Sequence, residues 1–195
     1  MSDMTAQPAE LLVVAHAAAW REWLDNNEDS SDGVWLLLAK KGTVAPTSLS
    51  YAEALDEALC SGWIDGQRQT HNAETFRQRF TPRRKASMWS LRNVGLVAGL
   101  SAEGRMRPRG HAEIARARED GRWDRAYAGQ ASVTVPEDLT AALAVSPAAA
   151  EAFAGLNSVN RYAILHRIIT AATPATRLNR LTKAVEMLER GETPY

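Results

Sequence analysis

Apolar and polar positions follow several distinct rhythms along this chain, and each change of rhythm falls at a turn signal. From Leu11 to Asn26, Val14, Ala18, Trp20, Trp23 and Leu24 recur at helical spacing, which predicts a helix. After the polar break NNEDSSDG comes VWLLLAKKG (34–42), whose length and continuous apolar character predict a buried strand. Ser50 and Glu53 form a capping-box pair, so a helix is predicted from Tyr51 to Cys60. Ala54, Leu55, Ala58 and Leu59 share one of its faces, and Ser61-Gly62 ends it.

The rhythm then shifts to period two. WIDGQRQ (63–69) and TFRQRFT (75–81), joined by the polar turn THNAE, predict a hairpin. Phe76, Gln78 and Phe80 point one way in the second strand, Arg77 and Arg79 the other. In the first, Trp63, Asp65 and Gln67 oppose Ile64, Gly66 and Arg68. The pattern therefore predicts one aromatic face and one carrying Arg68, Arg77 and Arg79. A one-residue slip in register would reverse this assignment. Pro82-Arg83-Arg84-Lys85 closes the strand, and Ser87 or Ser90 caps a helix to about Leu100. A turn over 103–108 leads into a helix of roughly 109–119.

AGQASVTV (128–135) reads as a linker or an extended crossover, and everything after it as helix. Pro136, Pro147 and Pro174 suit first helical positions, and Asn157 or Ser158 caps a further helix. Leu178, Leu181, Val185 and Leu188 form a stripe in the last one. The fold class is therefore α+β: a small antiparallel sheet packed with helices, followed by an all-helical C-terminal part. The expected divisions are a disordered tail at 1–9, an α+β front part at 10–127 and a helical part at 135–191.

Composition adds two constraints. The chain is 45% hydrophobic, so a globular core is affordable in area, and it has no apolar run long enough to span a membrane. The opening MSDMTAQPAE is acidic and polar, unlike a signal peptide, and Cys60 is the single cysteine. Both point to a reduced cytoplasmic setting without membrane insertion. The net charge of zero conceals an asymmetry: residues 1–65 hold 3 Lys+Arg against 11 Asp+Glu, and residues 66–125 hold 14 against 6. Either the acidic third neutralises the basic one, or the basic segment is an anion-binding face.

ALCSGWIDG (58–66), FTPRRKASMWS (80–90), GRMRPRG (104–110), DGRWDRAY (120–127) and TRLNRLTKAVEML (176–188) carry a family resemblance. In this order they resemble the bacterial YdeI/OmpD-associated family, also described as bacteriocin-protection proteins, over roughly residues 14–191. Two positions depart from the family's pattern. Ser61 stands where members often have a large aromatic, and AATPATR lacks the Lys and acids that members tend to place before the Thr-Arg pair. The resemblance implies an α+β front part followed by helices, and its names imply resistance to bacteriocins or antimicrobial peptides.

Candidate chemistry centres on the hairpin and the loop behind it. Asp65, between Ile64 and Gly66, reads as the ion-pair partner of Arg79, Arg83 or Arg84, since a carboxylate beside Trp63 needs compensation. Its alternative reading is a functional acid. Arg83, Arg84 and Lys85 before a helix start suggest an anion pocket, with Trp89 placed to stack on a ring. The competing reading is a solvated basic loop. Arg177 is a candidate to fold back toward Asp65 or a ligand. No metal or cofactor is implied: the four histidines lie far apart, and no Walker loop, GxGxxG or GxSxG occurs. Three functions fit. One is non-enzymatic binding of an anionic small molecule or peptide under antimicrobial stress. Another is nucleic-acid binding through the basic 66–125 segment. The third is an enzyme using Asp65 with the neighbouring arginines.

Overall fold

The computed structural model describes residues 11–195; the tail expected at 1–9 lies outside the described residues. The elements run β1 (Leu11–Leu12), α1 (Ala17–Asn27), β2 (Val34–Ala39), α2 (Tyr51–Cys60), β3 (Trp63–Thr70), β4 (Thr75–Pro82), α3 (Leu91–Ala102), α4 (Pro108–Glu119), α5 (Glu137–Ala144), α6 (Pro147–Ala154), α7 (Ser158–Ile169) and α8 (Pro174–Glu189). They form two compact units, one of residues 11–87 with 95–116, the other of 88–94 with 117–195. The α+β class with a helical C-terminal part holds.

The first unit is built on a four-stranded sheet in the order β1-β2-β4-β3. It is antiparallel from β2 through β4 to β3, and β1 adds a two-residue parallel edge on β2. The helix expected from Leu11 begins only at Ala17, where His16 caps it by accepting from the Ala19 amide. Leu11 and Leu12 pair instead with Trp35 and Leu36, a tertiary contact that helical periodicity does not register. The local signal at α2 holds in full: Ser50 accepts from the Glu53 amide, and the Glu53 carboxylate accepts from the Ser50 amide at 2.9 Å. The Ser50 hydroxyl also donates to that carboxylate at 2.6 Å, and this bond, together with the one from the Ser50 amide, holds the Glu53 carboxyl below its ordinary value.

Helices α1 and α2 bring an apolar stripe to the sheet. Trp20 is fully buried, its ring 5.7 Å from Phe80 and 6.4 Å from Trp63, and its Nε1 donates to the Ala54 carbonyl. Burying such a ring removes ~150–250 Å² from water, on the order of 4–6 kcal/mol of gross stabilisation at ~25 cal/mol per Å². Ala54, Leu55, Ala58 and Leu59 are buried, as their shared face requires.

The hairpin departs from its simplest reading at one place. Asp65 pairs with Phe80, yet Arg68 pairs with Gln78, so two residues of β3, Gly66 and Gln67, stand opposite Arg79 alone. This β-bulge inserts one residue and flips the rest of the strand. Opposed residues share a face, so Arg68 lies on the aromatic side, 4.0 Å over the Phe76 ring, and not with Arg77 and Arg79. Gln78 satisfies the bulge by donating from Nε2 to the Gly66 carbonyl at 2.8 Å.

The second unit packs α5 to α8 around Leu139, Leu143, Phe153, Ile164, Leu165, Ile168, Ala184 and Leu188. Caps at Ser146, Asn157 and Thr173 start α6, α7 and α8. The expected stripe of α8 is shorter than the periodicity suggests. Leu188 is buried and Leu181 and Val185 pack on the core, but Leu178 is 65% exposed. The 128–135 segment is no free linker, since Val133 and Val135 pack against this core.

Candidate functional site

Part of the basic middle segment is paired with carboxylates. Arg107 reaches Glu57 at 2.7 Å and Asp25 at 2.8 Å, and donates to the Ser61 hydroxyl at 2.7 Å. Arg105 bonds Glu57 at 2.9 Å, Arg109 pairs with Asp29, and Arg116 with Glu113. Asp25, Asp29 and Glu57 all come from the acidic first third. That third therefore neutralises the arginines of GRMRPRG, and these form no open basic stripe. Ser61 supplies the small side chain and the acceptor that Arg107 uses. Cys60 beside it is fully buried, and burial, with the Glu57 carboxylate adding to it, pushes its thiol up to about 11, which makes it inert.

Asp65 is half-buried and accepts from the Tyr51 hydroxyl at 2.8 Å. An α2 residue thus provides the compensation that was expected from an arginine. Tyr51, Asp65, Gly66, Arg68 and Gln78 line a shallow groove of about 340 Å³. Arg68 enters that groove because of the bulge, which alternation alone did not reveal.

A second cleft, of about 420 Å³, is lined by Asp32, Arg79, Pro82, Arg83 and Arg84. Arg79 points away from the Phe80 side of the sheet, and its Nη1 is buried without a hydrogen-bond partner among the described residues. Gly33 makes room for it: a side chain there would meet Thr81 Cγ2 at 2.6 Å, the Phe80 carbonyl at 2.7 Å and Arg79 Nη2 at 3.0 Å, and its φ of 124° already favours glycine. Arg83 is 4% exposed; its amide donates to the Gly62 carbonyl at 3.0 Å, which prolongs the β3–β4 ladder by one bond. Arg84 is exposed at the head of a tight turn, where Ser87 Oγ accepts from the Arg84 amide and the Ser87 amide donates to the Arg84 carbonyl, both at 2.9 Å. Lys85 is exposed in that turn and is not among the lining residues. Asp32 closes no ion pair among the described residues. Neither Asp32 nor Gly33 stood out in the sequence, because their role depends on β2 and β4 pairing across a long separation.

The remaining candidates are engaged elsewhere. Trp89 is buried and packs ring to ring with Trp123 at 5.0 Å. The helix behind the loop starts at Leu91 with Ser90 as its own cap, accepting from the Asn93 amide. Arg177 forms a two-point pair with Asp138, at 2.6 and 2.9 Å, and donates to the Ile168 carbonyl. This pair holds the Asp138 carboxyl below its ordinary value. Among the described residues, no group of three or more His, Cys, Asp or Glu is placed to hold a metal, and no helix is long and apolar enough to cross a membrane.

Comparison with known families divides the chain in two. Residues 132–191, the helices α5 to α8, match the family described as Bacteriocin-protection, YdeI or OmpD-Associated, so the chain carries a domain of that class. Residues 12–113 match the family described as Domain of unknown function (DUF8412), and with more than half its length inside that match the chain belongs to it. WIDG and the PRRK loop thus fall within the front match, and the YdeI/OmpD-associated match covers only the C-terminal helices. No curated protein and no solved structure matches the chain.

Proposed function

We propose that this YdeI/OmpD-associated-type protein is a non-enzymatic cytoplasmic binding protein that takes a small anion in the Arg79–Arg83–Arg84 cleft. The observation that carries this reading is the buried Arg79 Nη1, which has no acceptor among the described residues although its guanidinium lines a cleft of about 420 Å³. A buried donor without an acceptor costs about 1–3 kcal/mol, and a phosphate or carboxylate oxygen would supply what is missing. Lys85, in the adjoining turn, adds long-range attraction. The carboxylate partners of Arg105, Arg107 and Arg109 favour a compact anion over an extended polyanion such as nucleic acid. The family's description as bacteriocin-protection supports a role in antimicrobial stress, with the bound anion as the signal or the cargo.

Titration calorimetry with inorganic phosphate and with citrate tests the reading. Wild type is expected to bind at millimolar concentration or better, Arg84→Ala to bind about tenfold more weakly, and Asp32→Asn more tightly because a competing negative charge is gone. Absence of heat with both anions, or insensitivity to Arg84→Ala, would sink it. An electrophoretic shift of DNA or RNA that Arg84→Ala abolishes would move the assignment to nucleic acid.

A further inference from the structure

A separate site lies wholly within the second unit, in the groove between α7 and α8. Its floor is apolar: Ile164 from α7, Ala184 and Met187 from α8. Its rim is cationic: Arg167 from α7, Arg180 and Lys183 from α8. The placement follows helical spacing. Arg167 is one turn after Ile164, and Arg180, Ala184 and Met187 follow at intervals of four and three. No acidic residue lines the groove, and the three cations form no ion pair among the described residues. This contrasts with Arg177 on the same helix, which Asp138 holds at two points. Arg180 is oriented by one bond, Nη1 donating to the Arg167 carbonyl at 2.6 Å, and makes no other hydrogen bond among the described residues.

We propose that this groove binds a single-chain anionic amphiphile, a medium-chain carboxylate free in solution. Its headgroup meets Arg167, Arg180 and Lys183, and its alkyl chain lies over Ile164, Ala184 and Met187. The charge selects the sign: three cations with no acid between them attract one negative head, while a neutral or cationic amphiphile gains nothing from the rim. The floor selects the tail, since each methylene removed from water adds about fourfold in affinity. The size selects one chain. The groove offers about 180 Å³, which suits one short alkyl chain and not the paired chains of a membrane lipid.

The test is an amide NMR titration of the full chain with octanoate, hexanoate, acetate, octylammonium and octyl glucoside. Octanoate is expected to shift amides of α7 and α8 around Arg167, Arg180 and Lys183. Hexanoate is expected to bind about tenfold more weakly, and the other three to leave those amides in place. Lys183 is exposed, so Lys183→Glu and the milder Lys183→Gln preserve the spectrum; the first is expected to lower octanoate affinity about tenfold and the second less. The proposal is overturned by any of four results: shifts from octylammonium or octyl glucoside as large as those from octanoate, acetate binding as well as octanoate, octanoate affinity indifferent to Lys183→Glu, or shifts elsewhere or nowhere. Binding to phosphatidylglycerol vesicles without octanoate binding would likewise overturn it, in favour of a membrane surface.

Discussion

The Arg107 guanidinium and the Glu57 carboxylate meet at 2.7 Å with both residues buried. Glu57 sits in α2 and Arg107 just before α4, so the pair ties together elements 50 residues apart in the chain. Two buried charges are costly to desolvate, and the cost is met here by additional donors and acceptors: Asp25, Arg105, the Glu57 carbonyl and Ser61.

Removing one partner should therefore hurt more than the pair itself helps. Arg107→Ala is expected to cost about 3–5 kcal/mol in urea unfolding, because Glu57 keeps its charge and loses its principal partner. Ser61→Ala is expected to cost about 1 kcal/mol. The double variant should be little worse than Arg107→Ala alone, since the hydroxyl's donor has already gone; full additivity would show that Ser61 acts independently of Arg107.

Two helical glycines should respond with opposite sign. Gly110, in α4, lies against α2 so closely that a Cβ would stand 2.2 Å from the Cys60 carbonyl oxygen. Gly110→Ala is expected to destabilise by about 2 kcal/mol or more, against its gain in helix propensity. Gly99, on the exposed side of α3, has nothing within 4 Å of that position. Gly99→Ala is expected to stabilise by roughly 0.5–1 kcal/mol. Thermal unfolding of both variants checks the contrast.

His166 should make the helical unit sensitive to mild acid. Its place in the last turn of α7 favours the cation. Burial, with the Arg180 charge adding to it, wins and lowers its pKa below the ordinary 6.5. Tyr127 and Tyr162 pack around the ring. The unfolded chain therefore takes up this proton at a higher pH than the folded chain does. Stability conferred by the neutral ring is complete above pH 6.5, falls as the pH drops below that value, and levels off once the folded imidazole is also protonated. His166→Gln is expected to flatten that part of the Tm–pH curve. An unchanged slope between the two proteins would show that other groups set it.

What could be read from the chain alone follows the range of each interaction. The Ser50–Glu53 capping box spans four residues and was fully visible, as was the alternation that places Phe76, Gln78 and Phe80 on one side of β4. The two-residue β1 was not, since its reason is the β2 edge and not its own pattern. Asp65 was recognised as a carboxylate in need of a partner, but the partner is Tyr51, an uncharged residue that charge counting passes over. The loop arginines were found through their charge. Asp32 and Gly33, which complete the cleft, became visible only when β2 and β4 were paired. Trp89 shows the ambiguity of an aromatic beside cations: its ring is equally suited to a ligand or to Trp123, and nothing in the spacing decides.

The extra residue in β3 makes the hairpin's charge pattern depend on a count and not on a kind of residue. The same residues, with Asp65 still opposite Phe80 but no bulge after it, would keep every arginine and the composition of a hairpin. With the ladder in simple alternation, Arg68 would fall opposite Arg77 and turn with Thr70 to that side, leaving Phe76 without its cation and the Tyr51–Asp65 groove without its arginine. Loss of one residue at 66 or 67, by contrast, would remove the bulge and leave Arg68 opposite Gln78, on the face it already occupies.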